Sequence, residues 1–139
     1  MARINFYLLR HDNVHARLLF ACRLSEQLLR QGHAVRVLAV NEDEARDLDQ
    51  LLWNFTAESF VPHGLHHEAR ADCPVVIGWD AAAFRDGTLL NLTPGLPANH
   101  QRFDSIAEFV LSNDDAKALS RRKWNAYKQH GHELQHHQI

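Results

Sequence analysis

The order of residue patterns along the first fifty positions constrains this chain most. Ile4 to Leu9 is a short run of apolar, aromatic and branched residues, the kind of segment found in a strand covered on both faces. With Asp12 or Asn13 as cap, Val14, Leu18, Ala21, Cys22, Ser25, Leu28 and Leu29 then recur at helical spacing, and Gly32 stops the pattern. Ala34 to Val40 is a second branched run, and Asn41 followed by Glu42, Asp43 and Glu44 supplies a cap and an acidic first turn for a second helix. Strand, helix, strand, helix with short connections predicts a parallel sheet, because parallel neighbours need a crossover and the crossover helices then cover the sheet.

The second helix should close near Trp53. The stretch 54–73 reads as irregular, broken by Pro62 and Gly64. Pro74 to Trp79 and Thr88 to Leu92 are further strand candidates, 94–101 is a loop, and Ser105 to Leu111 is a weaker strand. A final helix runs from Asp114 to about His130 with Gly131 as its stop. No repeat, linker or charge block divides the 139 residues. We read 1–139 as one three-layer α/β domain, a Rossmann-like and mostly parallel sheet with helices on both faces, and 131–139 as a flexible histidine-rich tail.

Composition serves mainly to exclude. A hydrophobic share of 45% and a charged share of 23% suit a folded domain rather than a disordered chain. A formal charge of −2 is the wrong balance for a surface dedicated to coating nucleic acid, so no direct tight nucleic-acid binding is expected. Two cysteines, Cys22 and Cys73, are too few for a disulfide framework and point to a reducing compartment. Arg10, His11 and Asp12 interrupt the opening before a signal-peptide core could form, and no apolar run is long enough to span a membrane. The expectation is a soluble, cytoplasmic protein without a membrane partner.

Chemistry-bearing motifs are sparse. The turn after the first strand, Arg10-His11-Asp12-Asn13, contains no glycine, and no phosphate-binding glycine loop occurs elsewhere. A nucleotide-binding α/β domain thus remains only as an alternative from fold analogy. His132-Glu133-Leu134-Gln135-His136 is a literal H-E-x-x-H, which on a helix would set two imidazoles on one face with Glu133 as base. It makes a zinc-dependent hydrolase the second alternative, although Gly131 stands directly before it as a helix stop. His66, His67 and Cys73 lack a fourth ligand, and Ser59 lacks the glycine-flanked elbow of a hydrolase. We assign no catalytic residue, metal or cofactor.

Two other features suit binding. Lys117, Arg121, Trp124 and Lys128 fall within about 60° of one another on the final helix, with Leu119 and Ala126 on roughly the opposite side. Such a stripe is either a solvated face whose indole caps the core edge, or a ledge for an acidic peptide or free C-terminus, with Arg holding a carboxylate and the indole covering an apolar side chain. Trp53, Phe55, Phe60, Val61, Pro62 and Leu65 cluster around an expected loop, where they either plug the core or meet a partner.

These regions also carry a resemblance. Leu48-Asp49-Gln50-Leu51-Leu52-Trp53 with Ala57-Glu58-Ser59-Phe60-Val61-Pro62-His63, then Arg121-Arg122-Lys123-Trp124-Asn125-Ala126-Tyr127 with Gly131, and the opening Phe6-Tyr7-Leu8-Leu9 resemble the chi subunit family of bacterial DNA polymerase III, in the same element order over essentially the whole chain. The resemblance implies a non-enzymatic replisome accessory protein without a nucleotide site. Such a protein is expected to pair with the small psi subunit, which ties it to the clamp loader, and separately to bind the acidic C-terminal tail of single-stranded DNA-binding protein. By position, Lys117, Arg121 and Trp124 match the tail-binding helix, with Val110 as the apolar neighbour and Trp53 lining the same pocket. Phe60, Val61, Pro62 and His63 match the loop presented to psi. The sequence departs from the family between His66 and Asp72 and at the histidine-rich end.

Overall fold

The computed structural model describes residues 2–54, 61–70 and 72–139; Phe55 and Phe60 of the aromatic cluster lie outside the described residues. Along the chain come β1 (Arg3–Leu8), α1 (Val14–Arg30), β2 (Val35–Leu38), α2 (Glu42–Asn54), β3 (His63–Leu65), β4 (Val75–Gly78), β5 (Thr88–Asn91), β6 (Ser105–Val110), α3 (Asp114–Gln129) and β7 (Glu133–Gln138), with short 3-10 turns at Ala81–Ala83 and His100–Arg102. The described strands form one sheet in the order β3-β4-β2-β5-β6-β1-β7, and every neighbouring pair is parallel.

Strand alternation sorts the core into two halves. Tyr7, Val35, Val37, Val75, Ile77, Leu90 and Ala107 face α1 and α2, meeting Leu18, Cys22, Leu48 and Leu52. Ile4, Phe6, Leu38, Leu89, Ile106 and Val110 face the other way, toward Tyr127 of α3. The result is three layers, helices on both faces of a parallel sheet, as the sequence pattern required.

The helix starts follow local chemistry. Asn13 and Asn113 each accept a hydrogen bond at 2.7 Å from the amide three residues on, Ala16 and Ala116, and each such cap stabilises its helix by about 0.5–2 kcal/mol. At α2 the Asn41 side chain accepts from the Glu44 amide at 2.9 Å, while the Glu44 carboxylate accepts from the Val40 amide at 3.0 Å, a reciprocal arrangement that satisfies two orphan donors. Gly32 and Gly131 end α1 and α3 with φ of 88° and 83°, the left-handed conformation that favours glycine.

Two segments differ from the pattern-based reading. His63–Leu65, inside the stretch read as irregular, is an edge strand paired with β4; three residues are too few for alternation to register. The histidine-rich end is no flexible tail. Glu133–Gln138 pairs with β1 along its whole length, Arg3 against Glu133 through Leu8 against Gln138. A polar edge strand carries no hydrophobic periodicity, so only its backbone bonding declares it. The H-E-x-x-H string consequently runs extended. His132 and His136 stand about 13 Å apart along the strand, not adjacent on one helical face, which removes the geometry on which the hydrolase alternative rested. Among the described residues no group of three potential ligands gathers for a metal ion, and no helix is long and apolar enough to cross a membrane.

Candidate partner-binding surfaces

The orientation of α3 is set by a buried polar cluster. Lys123 donates to Glu108 at 2.7 Å and to the Thr93 carbonyl at 2.7 Å. The Tyr127 hydroxyl and the Asn91 amide donate to the other Glu108 oxygen at 2.6 and 2.8 Å. Glu108 is 2% exposed and Lys123 7%. Burial pushes the Glu108 carboxyl up and the Lys123 charge pulls it back down, while burial and then the Glu108 charge push the Tyr127 phenol well up. A carboxylate this deep is tolerable because both its oxygens are paired.

The buried face of α3 is therefore centred on Lys123 and Tyr127. Sequence reading missed it by taking the side of Leu119 and Ala126 as the inward one; these two are only half-buried and flank that face. The signal was faint, a lysine and a tyrosine four apart on a helix that follows a strand carrying an internal glutamate.

With Lys123 and Tyr127 turned inward, Lys117, Arg121 and Lys128 are exposed, and among the described residues neither Lys117 nor Arg121 enters an ion pair. Trp124 is half-buried on the same flank, its ring 5.3 Å from Phe6 and 6.0 Å from His136 of β7. Lys117, Arg121 and Trp124 thus share one ledge above the β1–β7 edge.

Val110 is set apart from that ledge. It is 3% exposed and lies in a cleft of about 160 Å³ with Leu111, Ala116, Leu119 and Ser120. The cleft sits at the carboxyl ends of β5 and β6, where open α/β sheets receive ligands. Leu119 stands about 160° around the helix from Lys117 and Arg121, so cleft and ledge occupy opposite flanks. Phe6 connects them, lining the cleft and supporting the Trp124 ring. Arg17 of α1 reaches the same cleft and pairs with Glu44 at 3.2 Å.

Trp53 is not near α3 at all. It ends α2 on the opposite face of the sheet, toward the β3 edge, and four inter-strand spacings, about 19 Å, separate β4 from β1. The indole is 54% exposed, with the His63 ring 5.0 Å away, in an open cleft of about 610 Å³ that also includes Asp49, Pro62, Glu68 and Arg70. Pro62 is exposed. Val61 is 1% exposed and belongs to the core. The His63 side chain is enclosed, Nδ1 2.6 Å from the Val61 carbonyl and Nε2 3.2 Å from the Asp49 carboxylate. The reading of 60–63 as one presented loop is corrected accordingly: Val61 and His63 point inward, Pro62 outward, and Phe60 lies outside the described residues. Trp53 moves from the α3 site to this corner.

The family model described as DNA polymerase III chi subunit, HolC, covers residues 1–135. DNA polymerase III subunit chi of Pseudomonas aeruginosa PAO1 is 34% identical over 140 residues, spanning 100% of this chain and 98% of that protein. The Escherichia coli K12 protein of the same description is 32% identical, with 96% of each chain covered. The Haemophilus influenzae one is 30% identical, covering 82% of this chain and 81% of that protein. A family match over nearly the full length and relatives at 30–34% identity lead to one assignment: this chain belongs to the DNA polymerase III chi subunit family.

Proposed function

We propose that this protein is a non-catalytic replisome accessory subunit with two separate docking surfaces. One binds the acidic C-terminal tail of single-stranded DNA-binding protein, the other binds psi, and together they bridge that protein to the DNA polymerase III clamp loader in the bacterial cytoplasm. The observation that carries the reading is the α3 ledge, two exposed cations without ion-pair partners among the described residues, beside a half-buried indole. A guanidinium can hold a carboxylate in bidentate geometry while the indole covers an apolar neighbour. Arg121 and Lys117 take the tail's carboxylates, Trp124 covers its apolar end, and Val110 supports from beneath as part of the floor shared with Phe6.

For psi, the exposed groups at the other corner are Pro62 and Trp53, with Phe60 assigned from the family pattern. Val61 and His63 back them from inside. Neither surface needs metal, cofactor or nucleotide, and the ledge attracts phosphate only weakly. The test is chemical-shift mapping with a synthetic acidic peptide ending in an apolar residue with a free carboxylate. The expected perturbations centre on 117–124 and leave 61–65 unmoved. Shifts centred on Trp53 and Pro62 overturn the division of labour.

A further inference from the structure

Where β7 begins to pair with β1, two imidazoles are buried in series. The Ala2 amide donates to Nδ1 of His132 at 3.0 Å. Nε2 of His132 is 2.8 Å from Nδ1 of His100. His132 and His100 are 6% and 7% exposed. An amide N–H can only donate, so Nδ1 of His132 has no proton and the neutral ring carries it on Nε2. That proton points at His100, whose Nδ1 must then be bare. The chain of donors thus fixes both tautomers and satisfies both bonds only while both rings are neutral. A proton added to His132 sets an N–H against the Ala2 N–H. A proton added to His100 sets an N–H against the His132 N–H, or forces His132 to turn its own proton onto Ala2. Every charged form loses a bond.

We infer that His100 and His132 form a proton-operated latch, which ties β7 to β1 while both rings are neutral and loosens when either takes up a proton. The neighbouring charges mostly reinforce it. His130, at the end of α3, lies 4.7 Å from His100, and the amino terminus acts on His132. Burial, then these positive neighbours, holds both rings below the ordinary value of 6.5. Glu133, the next residue of β7, pairs with Arg3 at 3.7 Å, and the Tyr127 hydroxyl is bonded to Glu108. Arg102 is exposed in the same 3-10 turn as His100. Asp80 is the acidic group across an open cavity of about 710 Å³ that reaches His100 and gives protons a route in.

The sign follows. With folded values below 6.5, the unfolded chain binds more protons in mildly acidic solution, so the stability contributed by the pair is full above 6.5 and is lost as pH falls through the lowered values. β7 also holds His136 against Trp124, so opening strips one side of the indole; the latch itself does not depend on what Trp124 binds.

The test has two parts on the full chain. Nitrogen-15 shifts at neutral pH should show both rings with the proton on Nε2; an Nδ1–H tautomer for either overturns the inference. Amide exchange, corrected for its intrinsic pH dependence, should show β7 protection falling by about tenfold or more relative to β6 between about pH 7.5 and about pH 5. Equal change in both strands overturns it. In a His100→Asn, His132→Gln double variant, which keeps an acceptor and a donor with nothing to titrate, the relative loss should vanish; its persistence contradicts the latch. The tautomer measurement on the wild type decides the matter even if that variant fails to fold.

Discussion

The α3 ledge and the Trp53–Pro62 corner are built on opposite principles. At the ledge the exposed groups are charges, and what aims them is a buried charged cluster, Glu108 with Lys123, Tyr127 and Asn91. At the corner the exposed groups are an indole and a proline, and what aims them is an apolar plug, Val61, with a ring held by the Asp49 side chain. The contrast teaches that a cationic face needs a rotationally fixed helix: a slip by one residue along α3, about 100°, would put Arg122 or Trp124 where Lys123 stands. A hydrophobic face needs only that the chain behind it be full.

The sharpest way to break the contrast is to remove its polar half from within. Lys123→Ala leaves Glu108 buried without a cation and should cost about 3–5 kcal/mol of unfolding free energy, measured by urea denaturation; a loss below about 1 kcal/mol shows that the cluster does not organise α3. The matching change at the other corner, Val61→Ala, removes two buried methyl-sized groups and should cost about 2 kcal/mol in the same assay, while leaving tail-peptide affinity as it was. If the two variants swap their effects on the two partners, the division fails.

Trp53→Ala and Pro62→Ala sharpen the partner assignment. Each exposes little new core and should leave stability within about 0.5 kcal/mol, while weakening co-elution with psi by roughly tenfold, the scale of one interfacial anchor. Unchanged co-elution for both removes the corner from the psi surface. The smallest effect expected is that of salt on psi. Raising ionic strength tenfold should weaken tail capture clearly, because exposed charges are screened beyond about 10 Å at 0.1 M, and should barely move psi pairing. Equal salt slopes for the two partners contradict the account.

Much of this was legible in the sequence, for reasons that also explain the gaps. Strands buried on both faces and helices with one apolar stripe leave distinct patterns, so α1 could be read from Leu18, Cys22 and Leu28 and β1 and β2 from their branched runs, while Asn41 and the acidic turn after it announced α2. The cations of the ledge were legible because spacing alone places Lys117 and Arg121 on one flank. The inward face of α3 was not, because Lys123 looks like a surface residue until Glu108 is set opposite it, and that pairing is a fact of three dimensions. β7 was hidden because Glu133 to Gln138 is polar except for Leu134 and is held by backbone bonds and by His132, residues whose role depends on partners more than one hundred and twenty positions away. Trp53 was misplaced because an indole at a helix end has no period to say which face it joins.

The most direct test of the central claim is calorimetric titration, at low ionic strength, of an acidic peptide ending in an apolar residue with a free carboxylate against the wild type and Arg121→Ala. The account predicts a loss of affinity of about tenfold or more, the scale of a charge-assisted hydrogen bond, with unfolding free energy and co-elution with psi retained. Equal affinities for the two proteins would contradict it.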